Sequence, residues 1–272
     1  MPYYANVWLF LGAMMVCSGA SGAEHADLPP SHSVEPKLAA TGFAFAAGTA
    51  LNAAGDLFVA NYRELGTIGC ITADGTAAIL CDLRIAAPLE NDLPQANGLR
   101  LDSAGRLIAA DVAGGRLLRI AADGANVEVL AERYEGKKFD NLWDVVLDRR
   151  GNVYFTDPGD STVEEATGSV YRYDVRTGRV SLVATGMAFP TGIAVTADQQ
   201  HLCVAESRQY RILMFDLTDE GTAKNRRVLV DFPDETRGTF VGGKFDPRGM
   251  AFDAQNRLYV AIWRGGVINV VD

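Results

Sequence analysis

Acidic side chains recur at one position of a repeated hairpin pattern, where they could bind a cation or transfer a proton. Asp111, Asp157 and Glu206 each end a short apolar run that follows a turn. In an antiparallel hairpin, the last residue of the second strand lies beside the first residue of the first strand. The sequence therefore predicts the pairs Ala47 with Asn61, Asn97 with Asp111, Trp143 with Asp157, Thr191 with Glu206, and Arg248 with Ile262.

The hairpin that positions these side chains occurs five times. Its clearest copy runs from Trp143 to Asp157, WDVVLDRRGNVYFTD, in which Asp148 and Gly151 form the turn between two apolar runs. Neighbouring copies are about 50 residues apart, a spacing that is typical of repeat architectures. The other copies begin at Ala47, Asn97, Thr191 and Arg248.

Two further short strands follow each of the first four hairpins, for example GSVYRYD and VSLVATG after the third. Four antiparallel strands per repeat are typical of a propeller blade, in which the first strand is innermost. The sequence therefore predicts an all-β propeller whose hairpin ends form two rings at one mouth of a central channel. Five blades are evident, and the last is incomplete. Because an open propeller leaves strand edges uncovered, we expect that one fourth strand and about one further blade are missing from the sequence.

The acidic composition limits the classes of partner. The chain has 272 residues, a formal net charge of -9 and a pI near 4.9. Long-range repulsion would oppose an encounter with nucleic acid or with an anionic membrane surface. We therefore expect a small-molecule ligand or substrate, and neither a nucleic acid nor a membrane as partner.

The amino-terminal segment has the pattern of a secretory signal peptide. Residues 7–17 form an apolar run that is too short to span a bilayer, and small residues follow at 18–23. The segment before the run lacks the usual Lys or Arg. We expect a signal peptide at residues 1–23, an extended leader at 24–42 and the propeller at 43–272, in a protein that is secreted or periplasmic.

Three cysteines, Cys70, Cys81 and Cys203, remain after such a cleavage, too few for a disulfide framework. Depending on the centre of the turn at residues 73–76, Cys70 and Cys81 lie either opposite or diagonal to each other. The sequence leaves open whether they form a disulfide or are two small buried residues. Cys203 belongs to an apolar run and is expected in the core.

Several motifs together resemble a known family of six-bladed propellers. They are NGLRLDSAGRL, the run YEGKKFDNLWDVV followed by VYFTDPG, and FPTGIAV followed by VAESRQYRILMFDL. The chain from about Phe43 to Asp272 resembles the senescence marker protein (regucalcin), gluconolactonase and luciferin-regenerating-enzyme-like family. The resemblance implies a metal-dependent hydrolase of lactones or phosphotriesters, with calcium or a similar divalent ion in the channel mouth.

The residues at the family's metal-ligand positions differ in this chain. Calcium requires several converging oxygen ligands, which alanine, an indole and a guanidinium cannot supply. We therefore expect the inherited site not to bind metal, and consider a displaced site formed by Asp111, Asp157 and Glu206. Alternatively, these acids cap strands or pair with Arg248 and Arg208. The four substituted positions are Ala47, Trp143, Thr191 and Arg248.

The resemblance implies a secreted lactone or ester hydrolase. A catalytically silent propeller that binds a small anionic or sugar-like ligand is the alternative. Trp143 could stack on a ring or simply fill the channel, and Arg248 could bind a carboxylate. For a hydrolase, the expected catalytic residues are Asp144, Asp157 and Glu206, and the expected substrate-binding residues are Asn97, Trp143, Thr191 and Arg248.

Overall fold

The computed structural model describes residues 38–232, 246–263 and 265–271. Five antiparallel sheets of three or four strands follow one another along the described residues, and each is one blade. The first blade consists of β1 (Thr49–Leu51), β2 (Leu57–Ala60), β3 (Thr67–Ile71) and β4 (Ala77–Asp82). The second consists of β5 (Ala96–Leu101), β6 (Leu107–Asp111), β7 (Arg116–Ile120) and β8 (Val127–Ala131).

The third and fourth blades have four strands each, and the fifth has three among the described residues. Between the second and third blades lies a two-stranded hairpin of β9 (Arg133–Tyr134) and β10 (Lys137–Lys138). The third blade consists of β11 (Val145–Leu147), β12 (Val153–Asp157), β13 (Gly168–Tyr173) and β14 (Val180–Met187). The fourth consists of β15 (Pro190–Val195), β16 (His201–Glu206), β17 (Arg211–Leu217) and β18 (Ala223–Asp231). The fifth consists of β19 (Pro247–Phe252), β20 (Leu258–Ile262) and β21 (Val267–Val271).

The predicted all-β propeller with five evident blades is confirmed. Helical structure among the described residues is limited to α1 (Leu83–Ala86) and a single 3-10 turn at Ser207–Gln209. Both short helices follow directly after a strand, at Asp82 and at Glu206. The strands therefore determine almost the whole framework that positions the channel mouth.

An aspartate or asparagine shapes four of the hairpin turns. In the third blade, Asp148 Oδ1 accepts hydrogen bonds from the backbone N–H groups of Arg150 and Asn152, both at 2.9 Å. Gly151 adopts a positive φ of 81°, which costs glycine little because it has no Cβ. These local bonds explain why the hairpins could be predicted from sequence. Equivalent side-chain bonds occur at Asn52, Asp102 and Asp253.

Glycines in or directly before the innermost strands let neighbouring blades approach at backbone distance. The N–H of Gly48 donates to the carbonyl oxygen of Asn97 at 2.6 Å. A Cβ built on Gly48 would lie 1.9 Å from that oxygen, and one on Gly192 would lie 1.8 Å from the carbonyl oxygen of Arg248. Any side chain at these positions would therefore push two blades apart.

The predicted pairing across the hairpins is wrong by one residue in the second, fourth and fifth blades, and the predicted pair of the third blade does not form either. β-bulges follow the first pair of β5, β15 and β19, and a bulge shifts the register because two residues oppose one. In the third blade, Trp143 N–H donates to the carbonyl oxygen of Thr156 at 2.9 Å rather than lying opposite Asp157. The observed first pairs are Ala96 with Asp111, Pro190 with Glu206, and Pro247 with Ile262.

The hydrophobic core lies between adjacent blades. Ile68 of the first blade packs in one cluster with Leu107 and Leu118 of the second, and all three are buried. Similar clusters join the second blade to the third, the third to the fourth and the fourth to the fifth. Burial of these apolar side chains stabilises the order of the blades, because each blade covers its neighbour's face.

The three cysteines in the described residues, Cys70, Cys81 and Cys203, do not form a disulfide. Cys70 lies opposite Ala78, whereas Cys81 lies opposite Ile68, with a register shift between the two pairs. Both remain free thiols, as does the buried Cys203. Burial raises the pKa of the Cys81 thiol to about 11. Cys70 and Cys81 are therefore two small residues packed in the first blade rather than the halves of a disulfide bridge.

The predicted signal peptide at residues 1–23 lies outside the described residues, as does most of the leader at 24–42. Export therefore stays a prediction. None of the helices in the described ranges is long and apolar enough to cross a membrane.

Candidate active site at the channel mouth

The inner strands of neighbouring blades are joined where they reach the channel mouth. The N–H of Gly98 donates to the carbonyl oxygen of Trp143 at 3.0 Å. The Nδ2 atom of Asn97 donates to the same oxygen, also at 3.0 Å. The structure thus brings the predicted Asn97 of the second blade against the predicted Trp143 of the third.

Arg248 lies at the centre of a group of aromatic rings. Its guanidinium carbon is 4.9 Å from the ring centroid of Trp143, 5.6 Å from that of Phe189 and 5.9 Å from that of Trp263. Its Nη2 atom forms an ion pair with Asp246 at 2.6 Å. The Nε and Nη1 atoms are buried and have no hydrogen-bond partner among the residues that the structure describes. The mouth therefore presents a cation held by one ion pair and by three ring faces.

Burial is the main cause of a lowered pKa at Arg248, and repulsion from Arg208 acts in the same direction. The attraction and hydrogen bond of Asp246 oppose this shift. Sequence reasoning missed Phe189 and Trp263 as members of this group. Their only local signal is position, since Phe189 immediately precedes β15 and Trp263 immediately follows β20.

Within the described part of the chain, Thr191 and Ala47 contact the interior of the blades rather than the ring cluster. The Thr191 hydroxyl is buried, 2.5 Å from the Ser207 hydroxyl and 3.3 Å from the carbonyl oxygen of Pro247. It links the fourth blade to the fifth. Ala47 packs against the core between the first two blades.

Asp144 is a buried carboxylate that connects three blades at the inner strands. Its Oδ1 atom accepts a hydrogen bond from Val145 N–H at 2.8 Å, and its Oδ2 atom accepts one from Ile193 N–H at 3.3 Å. Arg100 of the second blade lies 3.8 Å from Oδ1 and also donates to the carbonyl oxygen of Met250 at 3.4 Å. Burial raises the pKa of Asp144, although the charge of Arg100 opposes the shift.

Asp111 has no exposed side-chain surface, and its oxygens are all engaged. Its Oδ1 atom accepts hydrogen bonds from the backbone N–H groups of Gln95 at 2.9 Å and Gly114 at 3.2 Å. Its Oδ2 atom accepts two from Arg116, at 2.8 and 2.7 Å. Asp111 therefore holds the segments on both sides of its hairpin.

Glu206 has the same role in the fourth blade. It accepts hydrogen bonds from Ala188 N–H at 2.8 Å and from Arg211 Nε at 2.6 Å, and Arg226 lies 3.4 Å away. Its carboxylate fixes the chain just before β15, where Phe189 begins its approach to the mouth.

Asp157 accepts hydrogen bonds from two backbone N–H groups, those of Asp140 at 3.2 Å and Asn141 at 3.1 Å. Burial raises its pKa, and the two N–H groups oppose that shift. Asp157 thus fixes the loop that leads to Trp143 and the inner strand.

The three outer acids are not brought together as a metal site. Across residues 38–232, 246–263 and 265–271, no group of three or more His, Cys, Asp or Glu side chains could hold a metal ion. The alternative, that the acids pair with arginines or cap strands, fits the observed contacts. The partners are Arg116, Arg211 and Arg226 rather than the expected Arg248 and Arg208.

A family model described as the SMP-30/Gluconolactonase/LRE-like region matches residues 91–272, more than half of the chain. The chain belongs to this family. The resemblance inferred from the sequence motifs is thereby confirmed. Membership is consistent with the propeller architecture, which was established independently from the sheets.

Individual relatives agree with the family assignment. The gluconolactonase of Zymomonas mobilis is 27% identical over 178 residues, which are 62% of this chain and 49% of that protein. The diisopropyl-fluorophosphatase of Loligo vulgaris is 30% identical over 179 residues, which are 61% and 54% of the two chains. A solved gluconolactonase structure from Xanthomonas campestris has a TM-score of 0.64 at 25% identity and covers 79% of this chain and 69% of that one. The chain spans about half the length of these two curated relatives.

The residues at the mouth of this family member do not fit a calcium ion at the four positions where the resemblance implies ligands. Trp143 offers no oxygen, and Arg248 brings a positive charge against its ring at 4.9 Å. The Thr191 hydroxyl already bonds to Ser207 and Pro247. A hard divalent ion would lack the oxygen ligands that replace its hydration shell.

The raised pKa of Asp144 predicts a specific pH dependence of stability. The folded state holds the Asp144 proton more tightly than the unfolded state, so this group favours folding at low pH. That contribution is lost as the pH rises from the ordinary pKa of 3.8 through the raised pKa. The free energy of unfolding, measured in urea, should therefore fall with rising pH more steeply in the wild-type chain than in Asp144→Asn.

The matched control for this measurement is Asp174→Asn. Hydrogen bonding, first from the backbone N–H of Thr177, lowers the pKa of Asp174, so its contribution should be lost as the pH falls. The two variants should thus change the pH slope in opposite directions. Equal slopes for the wild-type chain and Asp144→Asn would contradict the prediction.

Proposed function

We propose that this chain is a hydrolase of small lactones or related esters that acts at the channel mouth. The observation that carries the proposal is the placement of a buried carboxylate, Asp144, directly after Trp143, whose ring stacks on Arg248. Family membership supports the reaction class, since relatives include proteins named gluconolactonase. The expected partner is a small molecule, and the expected secreted or periplasmic location rests on the amino-terminal sequence.

Asp144, Arg248 and Trp143 would have complementary roles in ester hydrolysis. A carboxylate with a raised pKa is a stronger base than an ordinary one, so Asp144 would accept a proton from the attacking water. As water adds to the carbonyl carbon, negative charge develops on the carbonyl oxygen, and the Arg248 guanidinium would stabilise it. The ring C–O bond then breaks, and the leaving oxygen takes the proton back from Asp144. Trp143 would hold the ring of the substrate by stacking.

Asp157 and Glu206 remain predicted catalytic residues, but neither is the general base that we propose. Both carboxylates already accept hydrogen bonds from the loops that lead to the mouth. A carboxylate that fixes a loop acts on the reaction through the position of other groups. Asp144 also accepts backbone hydrogen bonds, but it directly follows Trp143, so it is the base that we propose.

Hydrolysis can be tested by proton release from sugar lactones with five- and six-membered rings. We expect turnover above the spontaneous rate for the wild-type chain and a loss of about 100-fold or more in Asp144→Asn, as for removal of a general base. Calcium and a chelator should each leave the rate unchanged, because the residues at the mouth do not fit the ion.

Asp123→Asn is the matched control, because Asp123 is exposed in a turn of the second blade. Thermal unfolding should show that both variants are folded. If no lactone is hydrolysed, or if Asp144→Asn retains full activity, the proposed mechanism is refuted. Ligand binding without turnover would instead support a catalytically silent propeller.

A further inference from the structure

Two arginines flank one aromatic ring at the channel mouth. The guanidinium carbon of Arg208 lies 4.8 Å from the ring centroid of Phe189, and that of Arg248 lies 5.6 Å from the same centroid. Phe189 has a positive φ of 60°, an uncommon conformation for an aromatic residue. Glu206 fixes this segment by accepting a hydrogen bond from Ala188 N–H. The ring that both cations share is therefore held in place by the fold.

The positive charges of this pair are only partly compensated. Arg248 pairs with Asp246, whereas no ion pair within the described ranges involves Arg208. The two guanidinium groups repel each other, which contributes to the lowered pKa of Arg248. The chain as a whole carries a formal net charge of -9, so a local excess of positive charge is unusual for this protein. An anion that contacts both arginines would relieve the repulsion.

The surroundings indicate what kind of anion would fit. Arg208 is exposed, and the Arg248 side chain is 24% exposed. Within the described residues, the buried Nε and Nη1 atoms of Arg248 have no hydrogen-bond partner, so they are the donors left for an anion. Guanidinium groups bind carboxylates through short, charge-assisted hydrogen bonds. The ring of Trp143 beside Arg248 offers an apolar face for the body of a small organic molecule. The two guanidinium groups and the ring face of Trp143 together suit an organic carboxylate such as a sugar acid.

We infer that Arg208 and Arg248 together bind the carboxylate of a hydroxycarboxylic acid, the product of the hydrolysis. This inference rests on the proposed function. Water adds to the lactone carbonyl, the ring C–O bond breaks to a hydroxyl, and the new carboxylic acid releases a proton to become a carboxylate. The lactone is neutral and the product is an anion, so the arginine pair binds product more tightly than substrate. The product should therefore inhibit the enzyme.

Calorimetric titration with sodium gluconate tests the inference, with glucitol as the uncharged probe of matched length and hydroxylation. Gluconate should bind the 272-residue chain, and glucitol should bind at least about tenfold more weakly. Arg208→Gln and Arg248→Gln should each weaken gluconate binding by about tenfold or more. Arg176→Gln, an exposed arginine in a turn of the third blade, should bind gluconate as the wild-type chain does.

Arg208→Gln is the decisive variant, because Arg208 is exposed and its replacement should not affect folding. Equal affinities for gluconate and glucitol would overturn the inference, and so would unchanged gluconate binding in Arg208→Gln. The lactone hydrolysis assay tests the proposed function independently of the gluconate titration. Turnover without gluconate binding would refute only the product site, whereas gluconate binding without turnover would refute only the hydrolase.

Discussion

Replacing Gly192 by alanine should destabilise the protein by about 3 kcal/mol, the upper end of the range for overpacked interiors. The new Cβ would lie 1.8 Å from the carbonyl oxygen of Arg248, far inside contact distance. Neither atom can move independently, since both belong to inner strands that are paired within their own blades. The fourth and fifth blades would have to separate, and Arg248 would shift from Trp143. Urea unfolding and the titration with gluconate would measure the two effects.

Gly249→Ala is the matched control for this prediction. Gly249 occupies the corresponding bulge of the fifth blade, and a Cβ there would meet nothing within 4 Å. Its replacement should change the free energy of unfolding by about 1 kcal/mol or less. Equal destabilisation by the two substitutions would show that the close approach of the blades is not the cause.

Replacing Asp111 by alanine should destabilise the protein by about 3 to 5 kcal/mol, as expected when one partner of a buried ion pair is removed. Arg116 retains 9% side-chain exposure and bonds to both Oδ2 and the carbonyl oxygen of Ala87, so its charge cannot reach water. The substitution also leaves two backbone N–H groups, those of Gln95 and Gly114, without their acceptor. Denaturant unfolding would measure the loss.

Glu128→Ala is the control for this substitution. Glu128 pairs with Arg119 on an outer strand, and its side chain is 58% exposed. The loss should be about 1 kcal/mol or less, because solvent screens an exposed pair. The double variant Asp111→Ala, Arg116→Met should recover part of the stability, since no charge is then left buried. A single Asp111→Ala variant as stable as Glu128→Ala would contradict this account.

Local patterns were sufficient to predict the repeats. The turn at Asp148 forms from hydrogen bonds that span only a few residues, so its sequence alone predicts the hairpin. The alternation of strands and turns in each blade, and the family motifs, could likewise be predicted from residues that are close together in the chain. The exact register was not predictable in this way. A β-bulge after Ala96 depends on the approach of the neighbouring blade at Gly98, which lies against Asp144.

The partners of the charged groups were also beyond local prediction. Sequence reasoning placed Asp111 and Glu206 correctly at the ends of second strands. As an alternative to metal binding, it had them cap strands or pair with Arg248 and Arg208. The observed partners Arg116 and Arg211 each begin the next strand, so a tight turn brings them close. Their selection follows from burial, because a buried carboxylate requires the nearest donors that can satisfy it.

The amino-acid sequence by itself determined the blades, since hairpin turns and strand alternation depend on residues close together in the chain. It also determined which residue types reach the mouth, among them Asn97, Trp143 and Arg248. Only the tertiary structure decided what these residues contact. Arg248 meets Phe189 and Trp143 because separate blades converge on one axis, and the distances at that convergence depend on packing between blades rather than on any local pattern.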